Sequence, residues 1–233
     1  MSPPPKSAPP PRWRCAHLAF LTLLAVAAGA AGAAQHQLVL VDPIVPIGGS
    51  WSEMKFGMPT RFRLSTIEGV PAIEARGRGT ASGLIRDARF RVRDYPRLEW
   101  SWRVDRLPSD ADIKTKAGDD VGASLFLIFG RPGIFQPEPS TLVYAWTSAT
   151  TPEGNIVVNP HHEGTVRTLV LRSGEAKLAT WVTERRNLVE DFRLAFGRDP
   201  PEHAEAIAIW SDSDQSNQEV RAYYGKVVAS NGQ

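Results

Sequence analysis

The chain has 233 residues, with 27 Lys and Arg against 25 Asp and Glu, a formal charge of +2. That near balance predicts no nucleic-acid or anionic-membrane surface, which needs a basic stripe. One cysteine, Cys15, excludes a disulfide framework.

The first element in chain order is a targeting segment. Met1 to Arg14 carries three basic residues and no acid, Cys15 to Ala28 is apolar, and Ala31-Gly32-Ala33-Ala34 offers the small residues of a cleavage site. This order predicts a signal peptide over residues 1–34, a single domain over 35–233, and a periplasmic or secreted product. The alternative is an uncleaved anchor, for which the Ala/Gly-rich stretch is short. Cleavage removes Lys6, Arg12 and Arg14 from the 27 basic side chains and leaves 24 against 25 acidic ones, so the mature charge is −1. Cys15 leaves as well. About 200 residues then make one ordinary core.

Strand signals follow. The clearest is "RLEWSWRV", Arg97 to Val104, with Leu98, Trp100, Trp102 and Val104 on one face and Glu99, Ser101 and Arg103 on the other. Others are Leu38–Val41, Ala72–Arg76, Gly83–Asp87, Val121–Phe129, Thr141–Thr147, Val166–Arg172, Ala179–Thr183, Glu205–Ser211 and Arg221–Ala229. A helix is predicted between Glu184 and Phe196, where Leu188, Phe192 and Phe196 recur at i, i+4 and i+8 and Gly197 supplies the stop. Many short strands and one helix predict a mainly β fold, a two-sheet antiparallel β-sandwich of the jelly-roll kind.

The chemistry-bearing residues cluster in a few places. Asp119 and Asp120 abut the apolar run Val121–Phe129, where ionised carboxylates need a partner. Adjacent strand residues point to opposite faces, so a glycosidase-like pair would combine one of them with a distant acid such as Asp191, Asp212 or Asp214. Arg185 and Arg186 are candidate partners in a buried fork. Asp212, Asp214 and Ser216 alternate like the start of a calcium loop, but Asn217 and Tyr223 stand where an EF-hand needs Gly and Glu. No cofactor is therefore expected, a looser calcium site being the alternative to a turn that satisfies its own backbone. His161-His162 lies in the turn-like "NPHHEG" without a third metal ligand at suitable spacing. Tyr144 and Trp146 share a strand face and are candidates for sugar stacking. A nucleophile elbow, a phosphate loop, HExxH and paired CxxC are all absent.

Five blocks in order, "YPRLEWSWRV", "KAGDDVGASLFLIFG", "LVYAWTS", "ERRNLVEDFRLAFG" and "IAIWSDSDQSNQEVRAYYGKV", resemble the bacterial Domain of Unknown Function 3047 family of exported proteins. The resemblance implies a galactose-binding-like jelly roll, a class that often binds carbohydrate, and carries no established activity. The family pattern has an arginine just after the paired aspartates, where this chain has Ala123-Ser124. The expectation is an exported, non-catalytic module for a glycan or other cell-envelope component, using Asp119, Asp120, Tyr144, Trp146, Arg185, Arg186, Asp212 and Asp214. The alternatives are a polysaccharide-active enzyme with paired carboxylates and a structural scaffold.

Overall fold

The computed structural model describes residues 36–130 and 139–232, so the predicted signal peptide lies outside the described residues. Two sheets face each other. The first has the order β11(Val182–Asn187), β6(Arg97–Arg106), β13(Glu219–Ser230), β4(Val70–Arg78), β3(Arg61–Ile67), with β1(Gln37–Val41) pairing the far half of β13. The second has the order β2(Ser52–Lys55), β5(Ala81–Arg91), β12(His203–Asp212), β7(Val121–Phe129), β8(Ser140–Thr147), β10(Val166–Ser173), β9(Ile156–Val158). Among the described residues no helix is long and apolar enough to cross a membrane.

The alternation of β6 works as its sequence predicts. Leu98, Trp100, Trp102 and Val104 are buried between the sheets. Opposite them, β8 contributes Tyr144 and Trp146, with ring centroids 5.1 Å from Trp100 and 6.1 Å from Trp102 respectively. Burying rings of this size is the main favourable term of such a core.

Two local expectations are corrected. The sandwich is antiparallel except for β8 and β10, which run parallel, because the 18 residues between them turn back through β9 before β10 begins. The helix α1 spans Leu188–Phe196 only. Glu184 to Asn187 belong to β11, whose ladder to β6 pairs Glu184 with Trp100 and Asn187 with Arg97. Helix formation starts where that ladder stops: the Asn187 side chain accepts from the backbone N–H of Val189 and Glu190 and caps the first turn. Gly197, at φ 67°, ends it in the left-handed conformation that suits a residue without a side chain.

Candidate functional site

β7 is a central strand with apolar residues on both faces. Ala123, Leu125, Leu127 and Phe129 fill the inter-sheet core, while Ser124, Phe126 and Ile128 point outward. An antiparallel sheet normally turns polar residues to the water. Here the neighbouring strands extend the apolar surface through Val143, Ala145 and Val166, and the result is an open cleft of about 570 Å³ on the outer face of the seven-stranded sheet.

Trp210 forms one end of its floor. On β12 it lies between Gly83 of β5 and Ser124 of β7, two small neighbours that leave room for the indole. A Cβ at Gly83 would sit 2.4 Å from Trp210 Cε3, so only glycine admits the ring in this position. Phe126 stacks on the indole at 6.0 Å and 13°, and Phe56 tilts over it at 5.4 Å. Phe56 is 70% exposed, an aromatic ring standing at the cleft edge in water.

The polar end is made by loops. Asn159 folds the turn that carries the two histidines, its Oδ1 accepting from the backbone N–H of His161 and His162 at 2.9 and 3.0 Å. Its Nδ2 donates to Asp119 Oδ2 at 3.1 Å. His161 Nε2 stands 3.9 Å from the same oxygen. Asp212 closes this end, with Oδ1 accepting from Val121 N–H at 2.8 Å and Oδ2 from the Trp210 indole N–H at 2.7 Å. Asp119, Asp212, Asp214 and both histidines line the cleft, and no described lining residue is Lys or Arg.

Without a Lys or Arg among the described lining residues, the carboxyls shift upward. Burial pushes Asp119 up to about 7, against the hydrogen bond from Asn159 and with the help of the Asp120 and Asp214 charges. Burial also raises Asp212 well above the usual carboxylate range, the Trp210 hydrogen bond opposing it and Asp120 adding to it. Asp214 rises for the same reasons, desolvation first and the Asp120 charge second. Among the described residues, no group of three or more His, Cys, Asp or Glu is arranged to hold a metal ion.

The predicted site residues thus separate. Asp119, Asp212 and Asp214 meet at the cleft. Asp120 is fully buried beneath it and accepts from the backbone N–H of Gln215 and Ser216 at 3.1 and 2.7 Å, holding the loop that carries Asp214. Tyr144 and Trp146 face the core on the other side of β8, the Tyr144 hydroxyl donating to Asp191 at 2.8 Å and the Trp146 indole to the Gly174 carbonyl. Their alternates, Val143 and Ala145, line the cleft instead. The expected pairing of the arginines with Asp119 or Asp120 is corrected: Arg185 pairs with Glu99 and Arg186 with Asp191, because β11 belongs to the other sheet. Sequence reasoning set His161 and His162 aside as a turn and missed Phe56 and Phe126. The usable signal was the apolar second face of β7.

Fold and cleft together define a β-sandwich with an open, apolar-floored groove on one sheet and an acidic end that no described Lys or Arg lines. The chain belongs to the family described as "Protein of unknown function (DUF3047)", which it matches over residues 49–228. No curated protein matches the sequence. Among solved structures it is similar to a family 29 carbohydrate-binding module from Piromyces equi, at 9% identity over 85% of this chain and 91% of that one, TM-score 0.39. It is also similar to the xyloglucanase domain of NopAA, a type three effector from Sinorhizobium fredii, at 9% identity over 78% and 94%, TM-score 0.43. The Emp47p carbohydrate recognition domain gives 12% identity over 84% and 95%, TM-score 0.42. At these scores the likeness carries no inference about ligand or chemistry.

Proposed function

We propose that the protein is an exported, non-catalytic binding module whose ligand, a glycan or another cell-envelope component, lies in the cleft of the seven-stranded sheet. The observation that carries this reading is the apolar cleft floor, Phe126, Ile128 and Val143 beside Trp210, with the 70% exposed Phe56 ring at its edge. A pyranose ring offers an apolar C–H face and a belt of hydroxyls. The floor and the Phe56 ring suit the first, and the acceptors of Asp119 and Asp214 suit the second. The order of basic, apolar and small residues over positions 1–34 supports export.

Hydrolysis of a polysaccharide is the second reading, and Asp119 favours it, since a cleft carboxyl raised to about 7 keeps a protonated fraction near neutral pH, as a general acid needs. A glycosidase also needs an ionised carboxylate across the bond. The oxygens of Asp120 and Asp212 are taken by protein N–H donors, which leaves Asp214, itself raised by desolvation. Binding without turnover is therefore the better fit.

The test is a glycan and small-ligand screen on the protein spanning residues 35–233, run alongside an assay for released reducing ends. A ligand bound without release, weakened about ten-fold in Phe56→Ala through the lost ring contact, is the expected result. Release abolished in Asp119→Asn would establish the hydrolase instead, and binding to nothing would leave the scaffold.

A further inference from the structure

The opposite face of the sandwich carries a feature that no run in the sequence announces. Arg61 of β3 lies directly across from Arg76 of β4, Arg76 across from Arg221 of β13, and Arg221 across from Arg106 of β6. Four arginines thus stand in one row across four adjacent strands, on the outer face of the six-stranded sheet. At the usual strand spacing of about 4.8 Å the row is about 14 Å long. Like charges directly opposite one another disfavour a sheet, so the row needs a reason.

Local carboxylates answer only part of it. Glu74, 1% exposed, accepts from Arg221 and from Arg63, and Glu219 pairs with Arg76 at 3.1 Å. The two ends of the row lack such a partner. Arg61 is exposed and has no hydrogen-bond or ion-pair partner among the described residues. Among the described residues, Arg106 is exposed and donates only to the backbone carbonyl of Asp105, and Arg78, two residues along β4 from Arg76, donates only to the carbonyl of Asn217.

We infer that this arginine row is a second binding surface, independent of the cleft, for a linear acidic polymer of sugar or polyol units whose carboxylates or phosphates meet successive guanidinium groups. The guanidinium fork matches both anions in a bidentate way that an ammonium does not. A surface for single-stranded nucleic acid would interleave exposed rings for base stacking. The aromatic ring beside the row, Tyr223, is 1% exposed and sits beneath the Arg221 guanidinium, so no stacking platform is offered. Because the row and the cleft lie on different sheets, both can be occupied at once.

The experiment measures binding of polygalacturonate, polyglycerol phosphate, neutral dextran and oligo(dT) to the protein at two salt concentrations. Binding to the two acidic polymers, none to dextran, and affinity falling with salt are expected. Polygalacturonate and polyglycerol phosphate separate carboxylate from phosphate as the preferred anion. The double variant Arg61→Gln, Arg106→Gln removes two exposed side chains without carboxylate partners, so its melting temperature should match the parent. It should weaken binding at least ten-fold and lower the salt slope by about 1.5, as loss of two anion contacts predicts. Phe56→Ala should leave this binding unchanged. Failure of both acidic polymers to bind, unchanged affinity in the double variant, or loss of binding in Phe56→Ala would overturn the inference. Tighter binding of oligo(dT) than of either acidic polymer would overturn it in favour of nucleic acid.

Discussion

Glu74 and Asp212 are both buried carboxylates on the outer faces of their sheets, and their surroundings drive them in opposite directions. Burial alone would raise Glu74, but the hydrogen bonds and charges of Arg63 and Arg221 outweigh it and hold the group below the usual carboxylate range. Asp212 has equal need of a partner and receives only an amide and an indole N–H, so burial wins and the group rises. Glu184 and Asp191 are likewise each clamped by an arginine, Arg172 and Arg186 respectively. Acids that serve the sandwich come with a cation. Those at the cleft end have no Lys or Arg among the described lining residues, His161 being the basic side chain beside Asp119.

The largest expected effect lies on the clamped side. Asp191→Ala strands Arg186 and the buried Tyr144 hydroxyl, and should cost about 3–4 kcal/mol in denaturant unfolding. A loss below about 1 kcal/mol would mean that the clamp is no more than a surface pair. Asp120→Ala comes next: it leaves the N–H groups of Gln215 and Ser216 without their acceptor, at about 2–3 kcal/mol. Asp120→Asn, which keeps one acceptor oxygen, should recover about half of that, and equal losses in the two variants would show that charge rather than hydrogen bonding is what the loop requires.

Asp119 sharpens the comparison through pH. Its folded value, about 7, lies above the unfolded value, so between roughly pH 4 and 7 the native state holds a proton that the unfolded chain has lost. Stability from this group is therefore greatest in acid, falls as pH rises through that window and levels off above it. Asp119→Asn can still accept from Asn159. It should be nearly neutral at pH 4 and clearly stabilising at pH 8, read from melts at the two pH values. The same shift at both would place an ionised Asp119 in the native cleft. Glu74 runs the other way, contributing stability that is lost as pH falls through its lowered value.

The smallest effect is that of calcium. With the oxygens of Asp120 and Asp212 committed to N–H donors, calcium or a chelator should leave the melting temperature where it is. A calcium-dependent rise that disappears in Asp214→Asn would turn the acidic loop into an ion site.

Much of the sandwich was legible because alternation is local. The period-two pattern of Arg97 to Val104 defined both a strand and its buried face, and the adjacency of Asp119 and Asp120 already sent them to opposite sides. What failed was everything that depends on which strands become neighbours. Arg185 and Arg186 are as plausible a partner for Asp120 as any pair in the sequence until β11 is known to pair β6 rather than β7. Tyr144 and Trp146 read as possible ligand contacts because a strand with apolar residues on both faces does not say which face meets the core. The histidine turn shows no metal spacing, and its approach to Asp119 depends on Asn159, 40 residues further along the chain. The arginine row is the extreme case, one residue from each of four strands, invisible to any count of net charge.

The order of the sheets also bears on when this chain can fold. β12 and β13 are the last strands to be made, yet each occupies the middle of its sheet: β12 between β5 and β7, β13 between β4 and β6 with β1 clasped alongside. Until they emerge, the earlier strands include pairs such as β3 with β4 and β7 with β8, but both sheets lack their centres. Gln37 pairs with Ser230, so the first described strand closes only across a long sequence separation. Such non-local pairing makes for slow folding, because neither sheet can close before β12 and β13 are in place.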